Sequence, residues 1–448
     1  MLNSYRILLI LMLSSFVLYP LQAQEETMLQ FNLEEAQTYA IKHNLNVKSA
    51  KYEISNSEQV VKEYFGTGLP QISGNVNYQR AIKLPASLVP AEFFGGAEGE
   101  FAKLEFGTDN NLSIGLNLDQ QLFSGTYFVG LQAANAVVEL SRLQVTQSEA
   151  DVKDQVTQAY IAAAATEENI AILKKNVSVI EKVLYETQQL YENGFVEAMD
   201  VDRLKLSKAN LDTQIKNAER QQEMTYNLLK YQMGISLDKT IELTEGFYDL
   251  VEIAKGVDVF SANPNARIEL KVVNQQNTLN ELDIRNYKSR YLPRLDAFAN
   301  WNTSFQANDF NLGNGDSWIP SSIVGVKMSV PIFDGFTKKA QIAQRLINRD
   351  KIATAVSLLQ SSIELEQNQA KIEYFNALEQ VENQKENLDL AERIHQTALI
   401  KYKEGLGSSL EVTSAEGDLY QTQGLYIQAL FNLISAKAKL DKALGKYN

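Results

Sequence analysis

The chain carries one pattern twice, and a duplication limits the possible folds more tightly than any single motif. The stretch Tyr64-Phe-Gly-Thr-Gly-Leu-Pro70 recurs as Tyr287-Lys-Ser-Arg-Tyr-Leu-Pro293, with the same spacing from Tyr to Leu-Pro, at an offset of 223. Gly115, Phe123 and Gly125 recur as Gly325, Phe333 and Gly335 at an offset of 210. Tyr191-Glu-Asn-Gly194 and Asp200-Val201 recur as Tyr402-Lys-Glu-Gly405 and Glu411-Val412 at an offset of 211. The fall from 223 to 210 places 13 additional residues in the first copy, between the first two anchors. Insertions are tolerated best in exposed loops, so a variable loop belongs at that point.

Each copy reads as helix, two strands, long helix, tight turn, helix. The strands show in period-two alternation. Ile72, Gly74, Val76 and Tyr78 alternate with Gln71, Ser73, Asn75 and Asn77, and Leu112, Ile114, Leu116 and Leu118 with Ser113, Gly115, Asn117 and Asp119. In the second copy Leu295, Ala297, Ala299 and Trp301 alternate with Arg294, Asp296, Phe298 and Asn300, and Val324, Val326, Met328 and Val330 with Ile323, Gly325, Lys327 and Ser329. Segments of about ten residues with one apolar face are the mark of transmembrane β-barrel strands. A half-buried antiparallel sheet in a soluble domain alternates in the same way. The stretches 80–111 and 304–321 read as loops, from Gly95-Gly96, Gly99, Asp109-Asn110 and the Asn314-Gly315 turn signal.

The helices are unusually long. From about 127 to 192 and from 337 to 403 there is no proline and hardly any glycine. Helices of that size each rise roughly 100 Å. Val152, Val156, Tyr160 and Ala163, then Leu173, Val177, Ile180 and Leu184, form a narrow apolar stripe; Leu388, Ala391, Ile394 and Ala398 are its counterpart. Such a stripe suits coiled-coil packing, and an ordinary bundle core would display it too.

Composition sets the compartment and removes whole classes of function. Arg6, the apolar run from Ile7 to Leu18 and the small residue Ala23 have the layout of a secretory signal peptide. The apolar run falls short of the ~20 residues of a spanning helix. The chain has no cysteine, which excludes disulfides, thiol catalysis and zinc–thiolate sites. A formal charge of −13 argues against nucleic acid as a partner. His43 and His395 stand far apart in sequence without metal-ligand spacing, and no nucleophile elbow, phosphate loop or complete dinucleotide fingerprint is present. No catalytic residue, metal ligand or cofactor is expected.

The expected organisation is a signal peptide at 1–23, a first repeat at 24–234, a linker at 235–262 and a second repeat at 263–448. The first repeat comprises helix 32–66, strands 70–80 and 112–122, long helix 127–192 and helix 198–233. The second comprises helix 264–291, strands 293–304 and 322–332, long helix 337–403 and helix 409–445. Four strands are too few to close a barrel, since the smallest single-chain barrels use about eight. An open sheet edge is not tolerated in lipid, so other subunits must complete the ring. The fold class expected is therefore mainly α with a transmembrane β part, built from two structural repeats per chain.

This plan, the Leu-Pro that opens each strand pair and the Tyr-x-x-Gly-x-x-x-x-x-Asp/Glu-Val turn in each half resemble the TolC family of outer-membrane efflux proteins. The resemblance covers the whole mature chain. It implies a homotrimer whose protomers each give four strands to a twelve-stranded outer-membrane barrel, continuous with a periplasmic α-helical barrel. It implies a passive exit duct in a Gram-negative outer membrane, in contact with its lipid, a periplasmic adaptor and, indirectly, an inner-membrane transporter. A secreted coiled-coil scaffold outside the membrane is the alternative. Carried onto this sequence, the adaptor contacts are the hairpin tips Asn193, Gly194 and Phe195 with Glu404, Gly405 and Leu406. The periplasmic constriction falls on Asp200, Tyr402 and Glu411. Gly194 and Gly405 equally suit ordinary helix C-caps, and Ser408-Ser-Leu-Glu411 equally reads as a capping box. Where relatives carry a second acidic residue and a basic tip residue, this chain has Ser414 and Gly407, so other contacts must hold the tip.

Overall fold

A computed structural model describes residues 29–256 and 267–447. The expected signal peptide, 1–23, and the linker stretch 257–262 lie outside the described residues, as do 263–266. The chain forms two compact units that cut across the two sequence copies. Of the described residues, one draws on 29–44, 152–256 and 372–439, the other on 45–151, 267–371 and 440–447.

The second unit is built around a sheet. Strand β2 (Gln71–Arg80) pairs with β5 (Asn110–Phe123), β5 with β7 (Arg294–Ala307), and β7 with β8 (Trp318–Ser329), all antiparallel. Register aligns the alternation of all four strands. Ile72, Leu118, Ala299 and Val324 lie in one cross-strand row, and Val76, Ile114, Thr303 and Pro320 in another. The intervening rows are polar, such as Ser73, Asn117, Asn300 and Ile323, or Gln121, Asp296 and Lys327, with Ile323 an apolar exception. One face of the sheet is therefore apolar and the other predominantly polar. The outer sides of β2 and β8 have no strand partner among the described residues.

Helices α2 (Leu45–Gly66) and α6 (Ile268–Ser289) lead into β2 and β7, while α3 (Gly125–Glu192) and α7 (Thr337–Lys403) follow β5 and β8. Arg267, buried at the foot of α6, bridges Glu269 at 2.8 Å and Glu366 at 3.1 Å and donates to the Ala443 carbonyl at 3.2 Å. A buried guanidinium with that many partners is satisfied, and removing it would strand its carboxylates and the carbonyl.

The first unit holds α1 (Leu33–His43), α4 (Ala198–Met233), α5 (Phe247–Lys255), most of α8 (Ser409–Ala443) and the far halves of α3 and α7. Its core follows the expected stripe: Ile170, Leu173, Ile180 and Val183 of α3 meet Leu204, Leu211 and Ala218 of α4. On α7, Leu388 and Ala391 are buried, whereas Ile394 is half exposed. Short parallel strands β1 (Leu29–Phe31) and β6 (Ile241–Leu243) pair, and the buried Tyr160 hydroxyl donates to the carbonyls of Phe31 at 3.0 Å and Glu245 at 3.2 Å. Tyr374 makes a comparable bond to the Ala254 carbonyl at 2.8 Å.

Four expectations need correction. The helix expected over 32–66 is divided at Asn44, whose backbone is extended and whose amide donates to the Gln232 carbonyl at 2.7 Å. The long loop 80–111 contains a hairpin, β3 (Ala86–Pro90) against β4 (Phe101–Glu105), and the 304–321 loop shrinks to 308–317. The last strand stops at Ser329 rather than 332, because Pro331 has no N–H to give the ladder.

Candidate functional site: hairpin tips and sheet faces

Both long hairpins turn by the same local device. At the first tip Phe195 N–H reaches back to the Leu190 carbonyl at 2.9 Å and Gly194 N–H to Tyr191 at 2.9 Å. At the second, Leu406 N–H reaches Lys401 at 2.8 Å and Gly405 N–H reaches Tyr402 at 3.0 Å. Gly194 and Gly405 are left-handed, with φ of 77° and 71°, and a side chain at either would meet no neighbouring atom. Glycine is needed there for backbone conformation, not for space. The turn throws Phe195 and Leu406 outward, 77 % and 82 % exposed, with Asn193 and Glu404 exposed beside them. Asn193 also caps its helix, donating to the Gln189 carbonyl at 2.7 Å.

The three expected constriction residues do not form one cluster. Tyr402 donates to Thr187 Oγ1 at 3.3 Å. Burial pushes its hydroxyl above the ordinary range, against the pull of the Thr187 bond and with the Asp200 charge adding to the rise. Asp200 accepts from Ser409 Oγ, and Arg203 Nη1 donates to the same Ser409 oxygen at 3.3 Å. Asp200 also closes a capping box, accepting the Glu197 N–H at 3.1 Å. Glu411 stands apart. Its backbone N–H is taken by Ser408 Oγ at 3.3 Å, while its exposed carboxylate has no hydrogen bond or ion pair among the described residues. It lines a groove of about 440 Å³ with Arg393, Lys401, Ser414 and Asp418.

Near the tips, the α3–α4 and α7–α8 hairpins are joined by Tyr402–Thr187, Ser409–Asp200, Arg203–Ser409 and the ion pair Lys403–Glu186 at 2.8 Å. Thr187, Arg203 and Ser409 were not readable as a set, because each comes from a different helix. One signal was available: Gly407 lacks a cation, and Arg203 lies one turn beyond Asp200, where a cation can serve the same junction. A second polar cluster was hidden altogether. Glu416, fully buried on α8, lies 3.9 Å from His395 of α7, and neither its oxygens nor the nearby Tyr420 hydroxyl has a hydrogen-bond partner among the described residues. No group of three or more metal-ligating side chains occurs among the described residues.

The sheet supplies the other half of the site. Its apolar face suits contact with lipid and its polar face suits water. The polar face holds a basin lined by Asp119, Arg294, Asp296, Asn300 and Lys327, and Arg294 pairs with Asp296 at 2.9 Å. No described helix is long and apolar enough to cross a membrane.

A four-stranded sheet with one apolar face and two open edges, joined to very long helical hairpins, defines a subunit of a transport channel in the outer membrane. The chain belongs to the outer membrane efflux protein family, whose model matches residues 38–234 and 266–446. It is 21 % identical over 404 residues to nodulation protein T of Rhizobium leguminosarum bv. trifolii, covering 84 % of this chain and 80 % of that protein. Crystal structures of CusC (TM-score 0.72, 15 % identity, 92 % of each chain covered) and of the Campylobacter jejuni outer membrane channel CmeC (TM-score 0.71, 16 % identity, 92 % and 85 % covered) share the fold. The outer membrane protein VceC of Vibrio cholerae does so too, with a TM-score of 0.67 at 14 % identity over 92 % and 96 % of the chains. The protein is an outer-membrane exit duct of the kind used in tripartite efflux, and channels of this kind work with adaptors and inner-membrane transporters. That membership leaves the secreted-scaffold alternative without support.

Proposed function

We propose that three copies of the chain close a twelve-stranded barrel, and that the duct they form conducts passively, without chemistry of its own. The observation that carries this reading is the sheet: an apolar face in register across four strands, with both edges unpaired. Such a sheet is stable in lipid only when its edges meet other copies. Closed with the polar face inward, it makes an aqueous bore.

The exposed tips Asn193, Gly194, Phe195, Glu404, Gly405 and Leu406 are the surface offered to a periplasmic adaptor. Asp200 and Tyr402 belong to the contacts that hold the two hairpins of one protomer together. Glu411, with a free carboxylate, repeated by three-fold symmetry, gives a ring of negative charge that draws cations into the periplasmic entrance. Planar-bilayer recording of the detergent-extracted, cross-linked protein tests the reading. A trimer with cation-selective conductance is expected; a soluble monomer that never opens a conducting path would overturn it.

A further inference from the structure

At the end of the sheet remote from the helices, the two copies of the chain differ. In the second copy the loop 308–317 is held by its own chain. Phe310 packs on Phe305 and Tyr78 with ring centres 6.0 and 5.3 Å apart, and Trp318 Nε1 donates to the Leu312 carbonyl at 3.0 Å. In the first copy the longer insertion carries the β3–β4 hairpin, whose strands pair only with each other. Ile82, Leu88, Phe93, Phe94 and Phe101 in this insertion are each more than 60 % exposed. A lone two-stranded hairpin is marginally stable in water, so these groups need a surface to cover them.

Connectivity says which surface. The insertion follows β2, an edge strand, and β2 runs away from the helix that precedes it. The other edge strand, β8, starts at the same remote end and runs back toward α7. When β2 of one copy meets β8 of the next in antiparallel fashion, the insertion rises beside that neighbour's 308–317 loop. The base of the insertion is basic and the loop it would meet is acidic, while the rest of the insertion, with Glu92, Glu98, Glu100, Glu105 and Asp109 against Lys103, is mostly acidic. Arg80 and Lys83 are exposed and without an ion pair among the described residues, and so are Asp309 and Asp316.

Resting on the trimer reading above, we propose that the insertion is a clamp between subunits at the outer mouth. The β3–β4 hairpin packs on the 308–317 loop of the neighbouring copy, and Lys83, with Arg80, pairs with Asp316 of the partner subunit. The apolar groups of the hairpin supply the contact area and the charge pair fixes its position. The second copy needs no counterpart, because its strands β7 and β8 meet the insertion from the other side.

The absence of native cysteine makes the test clean. In the detergent-extracted full-length protein, the double variant Lys83→Cys/Asp316→Cys should give covalent dimers and trimers on mild oxidation. A control pair, Lys83→Cys/Lys288→Cys, should give neither. Lys83→Glu should shorten the half-life of the heat-challenged trimer about fivefold, and Lys83→Glu/Asp316→Lys should restore it to within about twofold. No cross-link, together with a charge-swapped double no better than the single, would overturn the clamp while wild-type trimers still conduct. A wild-type chain that is monomeric and silent in bilayers would remove the trimer reading and the clamp with it.

Discussion

Single residues decide how firmly the hairpins hold together. Ser409 receives from Arg203 and gives to Asp200, so its hydroxyl is the hinge of a three-member chain across the two hairpins. Ser409→Ala should cost about 1.5–3 kcal/mol of that junction and raise mean single-channel conductance, since both bonds of the hydroxyl are to charged groups. An unaltered conductance would mean that Tyr402–Thr187 and Lys403–Glu186 suffice. Glu416 makes the opposite case, a buried carboxylate whose oxygens have no hydrogen-bond partner among the described residues. Glu416→Leu should raise the thermal midpoint in detergent, by the equivalent of about 1–3 kcal/mol, because it removes a buried polar group that no hydrogen bond compensates. A lower midpoint would show that the pair with His395 is stabilising. Arg267 adds a pH dependence. Burial favours the neutral form of Glu269, but the hydrogen bond and charge of Arg267 outweigh it and hold the carboxyl below its usual range. The sign follows from the depressed value. This stabilisation is complete above about pH 4.3, the ordinary glutamate value, and drains away as pH falls through the lower folded value. Melting curves of wild type and Arg267→Met should therefore converge in acid and separate near neutrality.

At the scale of elements, much was legible because period and punctuation are local properties. The long helices, the two glycine turns and the alternating strands all follow from spacing within a dozen residues. What escaped the sequence depended on distant partners. Asn44 breaks a helix-forming stretch because the Gln232 carbonyl, 188 residues away, receives its amide. The β3–β4 hairpin was read as loop because its glycines and prolines mark turns but not the ladder between them. The residues at the hairpin junction share the same fault: Thr187, Arg203 and Ser409 carry no motif, and only the packing of four helices brings them together. The turns themselves give a sharp expectation. Gly405→Ala must place a Cβ in left-handed backbone and should cost about 1–2 kcal/mol, with no steric clash to add to it. Thermal unfolding would measure the loss. A neutral substitution would mean that the turn relaxes to another conformation.

At the scale of the whole molecule, selectivity is a property of symmetry rather than of any one side chain. One exposed Glu411 is a weak attractor, but in the proposed trimer three around the entrance would act on the same ion. Glu411→Ala should reduce cation preference by about twofold or more in reversal-potential measurements, while leaving the amount of trimer unchanged. Unchanged preference would return Glu411 to the role of a helix-start residue. The β5–β7 ladder has a consequence of its own. It joins the strand pair of one copy to the strand pair of the other, so it is a junction between repeats made permanent by the chain. Within one protein the two halves find each other by loop closure, at a local concentration no dilution can lower. The β8-to-β2 junction has no such tether and must form by collision between separate chains. Assembly of the ring should therefore slow steeply with dilution while the four-stranded sheet does not, and any device that strengthens the untethered junction acts where the kinetics are weakest.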